Sequence, residues 1–227
     1  MRYEITSRPS YSILKISLSP GESVTAEAGS MIFMSPGLEV RTQAYGGVTS
    51  SLKRAFLGGE SLFLNTFTAK GEGELWLAPE LPGDVATVEI DGKKDLIVQD
   101  TSYLAHSGDI DIGIVFTGIR GLLAEGQLFW LKLSGKGVVW LGSYGALEAR
   151  ELKVDEGATI DNFHLVAMDS TVSWDAKLFS GLKSAVLGGE GIVVDLRGPG
   201  RVYMQTRNPR ALADYVYRYV RARTGSR

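Results

Sequence analysis

Three glutamates stand at matched places in this sequence: Glu60, Glu125 and Glu190. Glu60 closes the stretch Leu52-Lys53-Arg54-Ala55-Phe56-Leu57-Gly58-Gly59-Glu60, which returns with seven of its nine residues unchanged as Leu182-Lys183-Ser184-Ala185-Val186-Leu187-Gly188-Gly189-Glu190. A looser middle copy runs Gly118-Ile119-Arg120-Gly121-Leu122-Leu123-Ala124-Glu125-Gly126. Around a common axis, three such carboxylates would meet at one centre, where like charges raise their pKa values or recruit a cation. The competing reading is an acid satisfied by backbone N–H groups at each strand entry. Only two histidines exist, His106 and His164, and they do not align in the repeat. Neither has neighbours that propose a Ser-His-Asp arrangement. His106, beside Ser107 and Asp109, reads as a turn residue, either a proton-transfer group or simply solvated, and His164 as an outward-facing strand residue. Asp109 and Asp111 share one side of a strand and could offer oxygen ligands to a hard cation, although calcium or magnesium would want more ligands than this pair. No catalytic residue, metal or cofactor is assigned.

The elements that must position these residues can be read from periodicity. Apolar residues at Leu52, Ala55 and Phe56, at Ile119, Leu122 and Leu123, and at Leu182, Ala185 and Val186 have helical spacing, so each copy predicts a short inserted helix. Gly58 and Gly188 follow where a helix stop favours glycine. Strand-like runs come next, from Leu62 to Phe67, Leu128 to Leu133 and Ile192 to Leu196. Each ends at a Gly-x-Gly that predicts a tight hairpin turn: Gly71-Glu72-Gly73, Gly135-Lys136-Gly137 and Gly198-Pro199-Gly200, spaced by 64 and then 63 residues. Trp76, Trp140 and Tyr203 then put an aromatic at the same place three times, for the core or the joint between copies. Upstream, Ala26 to Met31, Ala105 to Ile110 and Ala167 to Val172 align as three strand-turn-strand corners.

The C-terminal stretch differs. Asn208-Pro209 provides a cap and a first helical residue, and Leu212, Tyr215, Val216, Tyr219 and Val220 form an apolar stripe that predicts a helix over about 209–223, packed on a partner surface. Seven arginines and one acid fall between Arg201 and Arg227, which opens a phosphate-binding reading. Solvated arginines or contacts between subunits are the alternative, and Arg210, Tyr215, Arg218 and Tyr219 are the candidate interface residues.

Composition sets the outer bounds. The chain has 227 residues, 44% of them hydrophobic, no cysteine and a formal net charge of -2. The charge argues against a global attraction to nucleic acid. The absence of cysteine removes disulfides, thiolate metal sites and a cysteine nucleophile. No secretory signal or run long enough to span a membrane is visible, so a cytoplasmic protein is expected.

Several runs together, Gly58 to Phe67, Leu81-Pro82-Gly83-Asp84, Leu141-Gly142-Ser143-Tyr144-Gly145, and Gly189 to Gly191 with Gly198 to Arg207, resemble the mitochondrial-biogenesis family named for altered inheritance of mitochondria. The resemblance covers nearly the whole chain. It implies a β fold related to that of the tryptophan RNA-binding attenuation protein, built from duplicated units, and no established activity. In the middle copy Ala124-Glu125-Gly126 replaces the family's paired glycine before the acid.

These readings predict an all-β protein, one composite domain over residues 1–227. Three sequence-related units, about 1–79, 80–142 and 143–207, would form a pseudo-threefold or jelly-roll-like assembly, with short inserted helices and the C-terminal helix. The expected role is a non-enzymatic scaffold or binding module acting as a homo-oligomer, with a trimer among its closed forms. The alternatives are a small-ligand or cation-binding protein or an enzyme with its site between repeats, and a weak nucleic-acid binder working through the basic helix.

Overall fold

A computed structural model describes residues 1–45, 62–115, 130–178 and 192–224. The predicted inserted helices and Glu60, Glu125 and Glu190 lie outside the described residues. What is described is mostly β. The strands are β1 (Arg2–Thr6), β2 (Ile13–Leu18), β3 (Ser23–Glu27), β4 (Met31–Met34), β5 (Leu38–Tyr45), β6 (Leu62–Ala69), β7 (Gly73–Leu77), β8 (Val85–Asp91) and β9 (Leu96–Gln99). They continue as β10 (Tyr103–Val115), β11 (Trp130–Gly142), β12 (Leu147–Leu152), β13 (Gly157–Asp161), β14 (Leu165–Asp169), β15 (Ser173–Leu178), β16 (Ile192–Arg197) and β17 (Gly200–Gln205), before helix α1 (Pro209–Thr224). Among the described residues no helix is long and apolar enough to cross a membrane.

One pairing scheme recurs along the chain. β7 lies between β2 and β4, and β17 between β12 and β14. The second half of β11 likewise lies between β8 and the start of β10. Beside each of these triplets, β6 lies between β3 and β5, β16 between β13 and β15, and the first half of β11 between β9 and the end of β10. A register shift falls at one matched place in each copy, between Met31 and Phe33, Tyr103 and Ala105, and Leu165 and Ala167. A bulge bends its strand and raises the local twist, so three bulges at matched places give three similar bends. Each of the stretches that carry the three glutamates joins two strands whose ends pair, Tyr45 with Leu62, Val115 with Trp130 and Leu178 with Ile192.

Two joints link some of these groups of strands into a ten-stranded sheet. Ala105 and His106 of β10 face Ala26 and Thr25 of β3, and Ala167 and Met168 of β14 face Val98 and Ile97 of β9. Ala26 and Ala105, which align as corners in the sequence, therefore sit opposite each other across a joint. Pairing places Phe33, not Ala26, level with Ala105 and Ala167, because all three directly follow the bulge. The apolar faces meet in consecutive cores. The first contains Leu14, Ile16, Phe67, Leu75 and Trp140, the second Val98, Leu133, Leu141 and Tyr203, and the third Trp130, Met168, Val194 and Val202.

The middle copy departs from the predicted hairpin. Gly71 to Gly73 and Gly198 to Gly200 do separate strands, but Gly135-Lys136-Gly137 lies inside the thirteen-residue β11. The matching corner at Ala105 to Ile110 also lies within a continuous strand, β10. The two long strands bend instead of turning. Gly108 and Gly135 take φ of +105° and +110°, where a Cβ would stand 2.6 Å from the Lys136 carbonyl oxygen and 2.1 Å from that of Asp109. Glycine is required at this crossing by both φ and contact distance.

Candidate functional site

The Leu81-Pro82-Gly83-Asp84, Leu141 to Gly145 and Met204 to Arg207 motifs converge at one pole of the molecule. Ser12 N–H donates to the Gly83 carbonyl (2.9 Å), and Asp84 N–H donates to that of Gly145 (3.0 Å). Gly83 and Gly145 form a parallel bridge. A Cβ on Gly83 would stand 1.6 Å from the Ser143 carbonyl oxygen, so the backbones meet only because this residue has no side chain. Tyr144 N–H donates to Gln205 Oε1 (2.8 Å), whose Nε2 donates to the Phe163 carbonyl (2.7 Å), and Ala146 N–H donates to Thr206 Oγ1 (2.9 Å).

Asp84 is the electrostatic centre of this pole. Its side chain is buried, and it accepts from Arg8 through both Nε (2.8 Å) and NH2 (2.7 Å), from Ser12 Oγ (2.7 Å) and from Val85 N–H (2.8 Å). Burial alone would raise its pKa, but the hydrogen bonds from Arg8, Ser12 and Val85 outweigh it and hold the carboxylate below its usual range. Fully bonded by the chain's own donors, Asp84 joins segments that are distant in sequence. Nothing in the local sequence near Arg8 or Ser12 signals this role.

A separate polar cleft of about 690 Å³ opens between β8, β12 and β17, with Tyr3 of β1 at its rim. Asp169 there takes an ion pair from Lys94 and a hydrogen bond from Arg201 N–H (3.0 Å), while Arg201 Nε reaches Glu151 (3.3 Å). Burial raises the pKa of the Tyr203 phenol, partly offset by Arg201, and keeps it a neutral hydroxyl. Two cations, two carboxylates and a hydroxyl facing a cleft can hold a small polar molecule bearing both charges. Among the described residues no group of three or more His, Asp or Glu could hold a metal ion.

The remaining predicted residues fall elsewhere. His106 is neither solvated nor in a turn: it is buried in β10 at the joint with β3, with Nδ1 2.7 Å from the Tyr103 hydroxyl. Burial lowers its pKa to about 4, so it is neutral at physiological pH. His164 Nδ1–H donates to the Gln205 carbonyl (2.7 Å), tying it to the same pole as Asp84. Asp109 and Asp111 are exposed on β10. Glu27, which the sequence did not single out, has a mostly buried carboxyl with its pKa raised to about 7, first by burial and then by the charges of Glu80 and Asp100.

Helix α1 forms as its cap predicts, with Asn208 Oδ1 accepting from Arg210 N–H (2.9 Å) and Ala211 N–H (3.3 Å). Its stripe, however, is not packed on the chain. Leu212 is half-buried and the Arg210 guanidinium lies 5.9 Å from the Phe163 ring centre, but Tyr215, Val216 and Tyr219 are exposed. The Tyr215 and Tyr219 rings pack on each other at 5.0 Å. Of the candidate interface residues, Arg210 sits at the helix base, while Tyr215, Arg218 and Tyr219 lie on the exposed part.

The model of a family described as mitochondrial biogenesis AIM24 matches residues 3–207, the β portion without the helix. An uncharacterised protein of Streptococcus pyogenes serotype M6 is 29% identical over 229 residues, covering 97% of this chain and 91% of its own length. A crystal structure of a Streptococcus pyogenes protein solved as a structural genomics target superposes with a TM-score of 0.80 at 28% identity, covering 96% of this chain and 99% of that one.

Proposed function

We propose, for a chain that belongs to the mitochondrial biogenesis AIM24 family, a non-enzymatic scaffold or binding module that acts as a homo-oligomer in the cytoplasm. The observation that carries this reading is helix α1. Tyr215, Tyr217 and Tyr219 of this helix are 58–60% exposed. Aromatic surface of this extent marks an interaction face. The recurring strand pairings support a second part of the reading: three related units, about 1–79, 80–142 and 143–207, in a pseudo-threefold or jelly-roll-like assembly. In that arrangement Glu60, Glu125 and Glu190 occupy equivalent linkers, and they stand as the proposal for a shared acidic site. Alanine at all three positions should abolish any copurifying cation, and unchanged metal content would remove that idea.

Light scattering of the purified chain tests the oligomer. The wild type should give a mass above that of one chain, and Tyr215→Ser with Tyr219→Ser should lower it. A monomeric wild type would refute the reading. The cleft at Asp169 favours one alternative, a small charged ligand held between units, which mass spectrometry of copurifying molecules would reveal. A nucleic-acid role through Arg210 and Arg218 requires binding that weakens steeply with salt, and a chain of net charge -2 does not favour it.

A further inference from the structure

The two joints inside the chain define what a third would look like, and the residues for it are present but unused. In each joint the strand that follows the bulge pairs with a strand of the preceding unit: β10 with β3, then β14 with β9. The residues level with β3 Thr25 and β9 Ile97 can be found through their partners. Thr25 pairs with Thr66, Ile97 with Lys132 and Thr159 of β13 with Asp195, and each partner directly precedes a buried apolar residue, Phe67, Leu133 or Leu196. His106 faces Thr25 and Met168 faces Ile97, so Met34 of β4 would face Thr159, and Phe33 would face Ile160. Yet among the described residues β4 ends the four-stranded sheet and β13 ends the three-stranded one.

Exposure records the difference. Tyr103, Leu104 and Ala105 in the first joint, and Leu165, Val166 and Ala167 in the second, are at most 1% exposed. Their counterparts Met31, Ile32 and Phe33 are 43%, 52% and 42% exposed. Among the described residues the pole does not close this joint either. Ser12 N–H and Asp84 N–H each reach the next unit's carbonyl, whereas the third in the series, Ala146 N–H, bonds Thr206 Oγ1 within its own unit.

We infer that β4 of one copy of this chain pairs antiparallel with β13 of a second copy, continuing the register of the two internal joints head to tail. Each copy carries one edge of each kind, so the contact is heterologous and propagates to a ring or a filament. Backbone pairing supplies the attraction, as when a peptide adds a strand to a free sheet edge. The apolar Met31, Ile32 and Phe33 supply burial, and an exposed apolar edge of this kind is one that proteins otherwise block. The inference rests on the self-association proposed above and adds the surface and the register.

The chain has no cysteine, which makes cross-linking clean. Residues directly opposite in an antiparallel pair have Cα atoms about 4.5–5.5 Å apart, within disulfide reach. Met34→Cys and Thr159→Cys proteins, mixed under mild oxidation, should give a covalent dimer that neither gives alone. Ile32→Lys, at an exposed position, should leave the fold intact and weaken association by about tenfold or more, the equivalent of about 1.4 kcal/mol. A wild-type oligomer with no mixed cross-link and no effect of Ile32→Lys would overturn the edge pairing while leaving self-association standing. A doubly substituted chain that closes only on itself as a monomer would overturn the second-copy assignment. A monomeric wild type would overturn both readings.

Discussion

Replacing Asp84 by alanine tests whether the pole is a structural clasp. The substitution removes the acceptor for four hydrogen bonds, two from Arg8 and one each from Ser12 Oγ and Val85 N–H. Arg8 is half exposed and can turn to water, so its loss costs little. Ser12 and Val85 are fully buried, and an unsatisfied buried donor costs about 1–3 kcal/mol. Together these give about 2–6 kcal/mol, and at roughly 2–4 °C per kcal/mol for a chain of this size the melting temperature should fall by about 4–24 °C. Asp84→Asn keeps Oδ1 for Ser12 and Val85 but loses the charge and the Oδ2 acceptor of the half-exposed Arg8, so it should cost less, about 1–2 kcal/mol. The sign with pH follows from the depressed pKa of the folded carboxylate. Its contribution is fully present above the unfolded value of about 3.9 and is lost as pH falls through the folded value, so the gap between wild type and Asp84→Asn should narrow below about pH 4. Thermal unfolding followed by circular dichroism at neutral and acidic pH measures both effects. An Asp84→Ala protein that melts with the wild type at neutral pH, or a gap that acid leaves unchanged, would refute the clasp.

Two further outcomes use the same assay. Gly83→Ala should destabilise by about 2 kcal/mol or more, since its Cβ would overlap the Ser143 carbonyl, whereas Gly71→Ala, which meets nothing within 4 Å, should cost under about 1 kcal/mol. Glu27→Gln should raise stability at high pH only: with a folded pKa near 7, the wild type loses stability as pH rises from about 4.3 to 7, by at most about 4 kcal/mol. A Glu27→Gln advantage that is the same at pH 4 and pH 8 would count against a buried, protonated Glu27.

The parts of the site that were legible in sequence are the ones set by short-range patterns. The helix cap at Asn208-Pro209 depends on neighbours two or three residues away, and it forms as written. Trp76, Trp140 and Tyr203 all fall on strands, β7, β11 and β17, because alternation along a strand survives in the sequence. Glycine states only that the backbone needs freedom. The same Gly-x-Gly serves a turn at Gly71 and a bend in β11 at Gly135. His106 looked solvated because its neighbours Ser107 and Asp109 are polar, yet the joint with β3 covers it.

The sequence by itself determined a mostly β protein with a capped terminal helix, since periodicity and capping are encoded in adjacent residues. Tertiary structure alone decided which edges pair, that Asp84 gathers Arg8, Ser12 and the Gly145 turn, and that β4 and β13 are left at the ends of their sheets. Those facts depend on contacts between residues some 60 or more positions apart. Strand pairing over such distances follows from how whole sheets bury their faces together, and no local pattern carries that information.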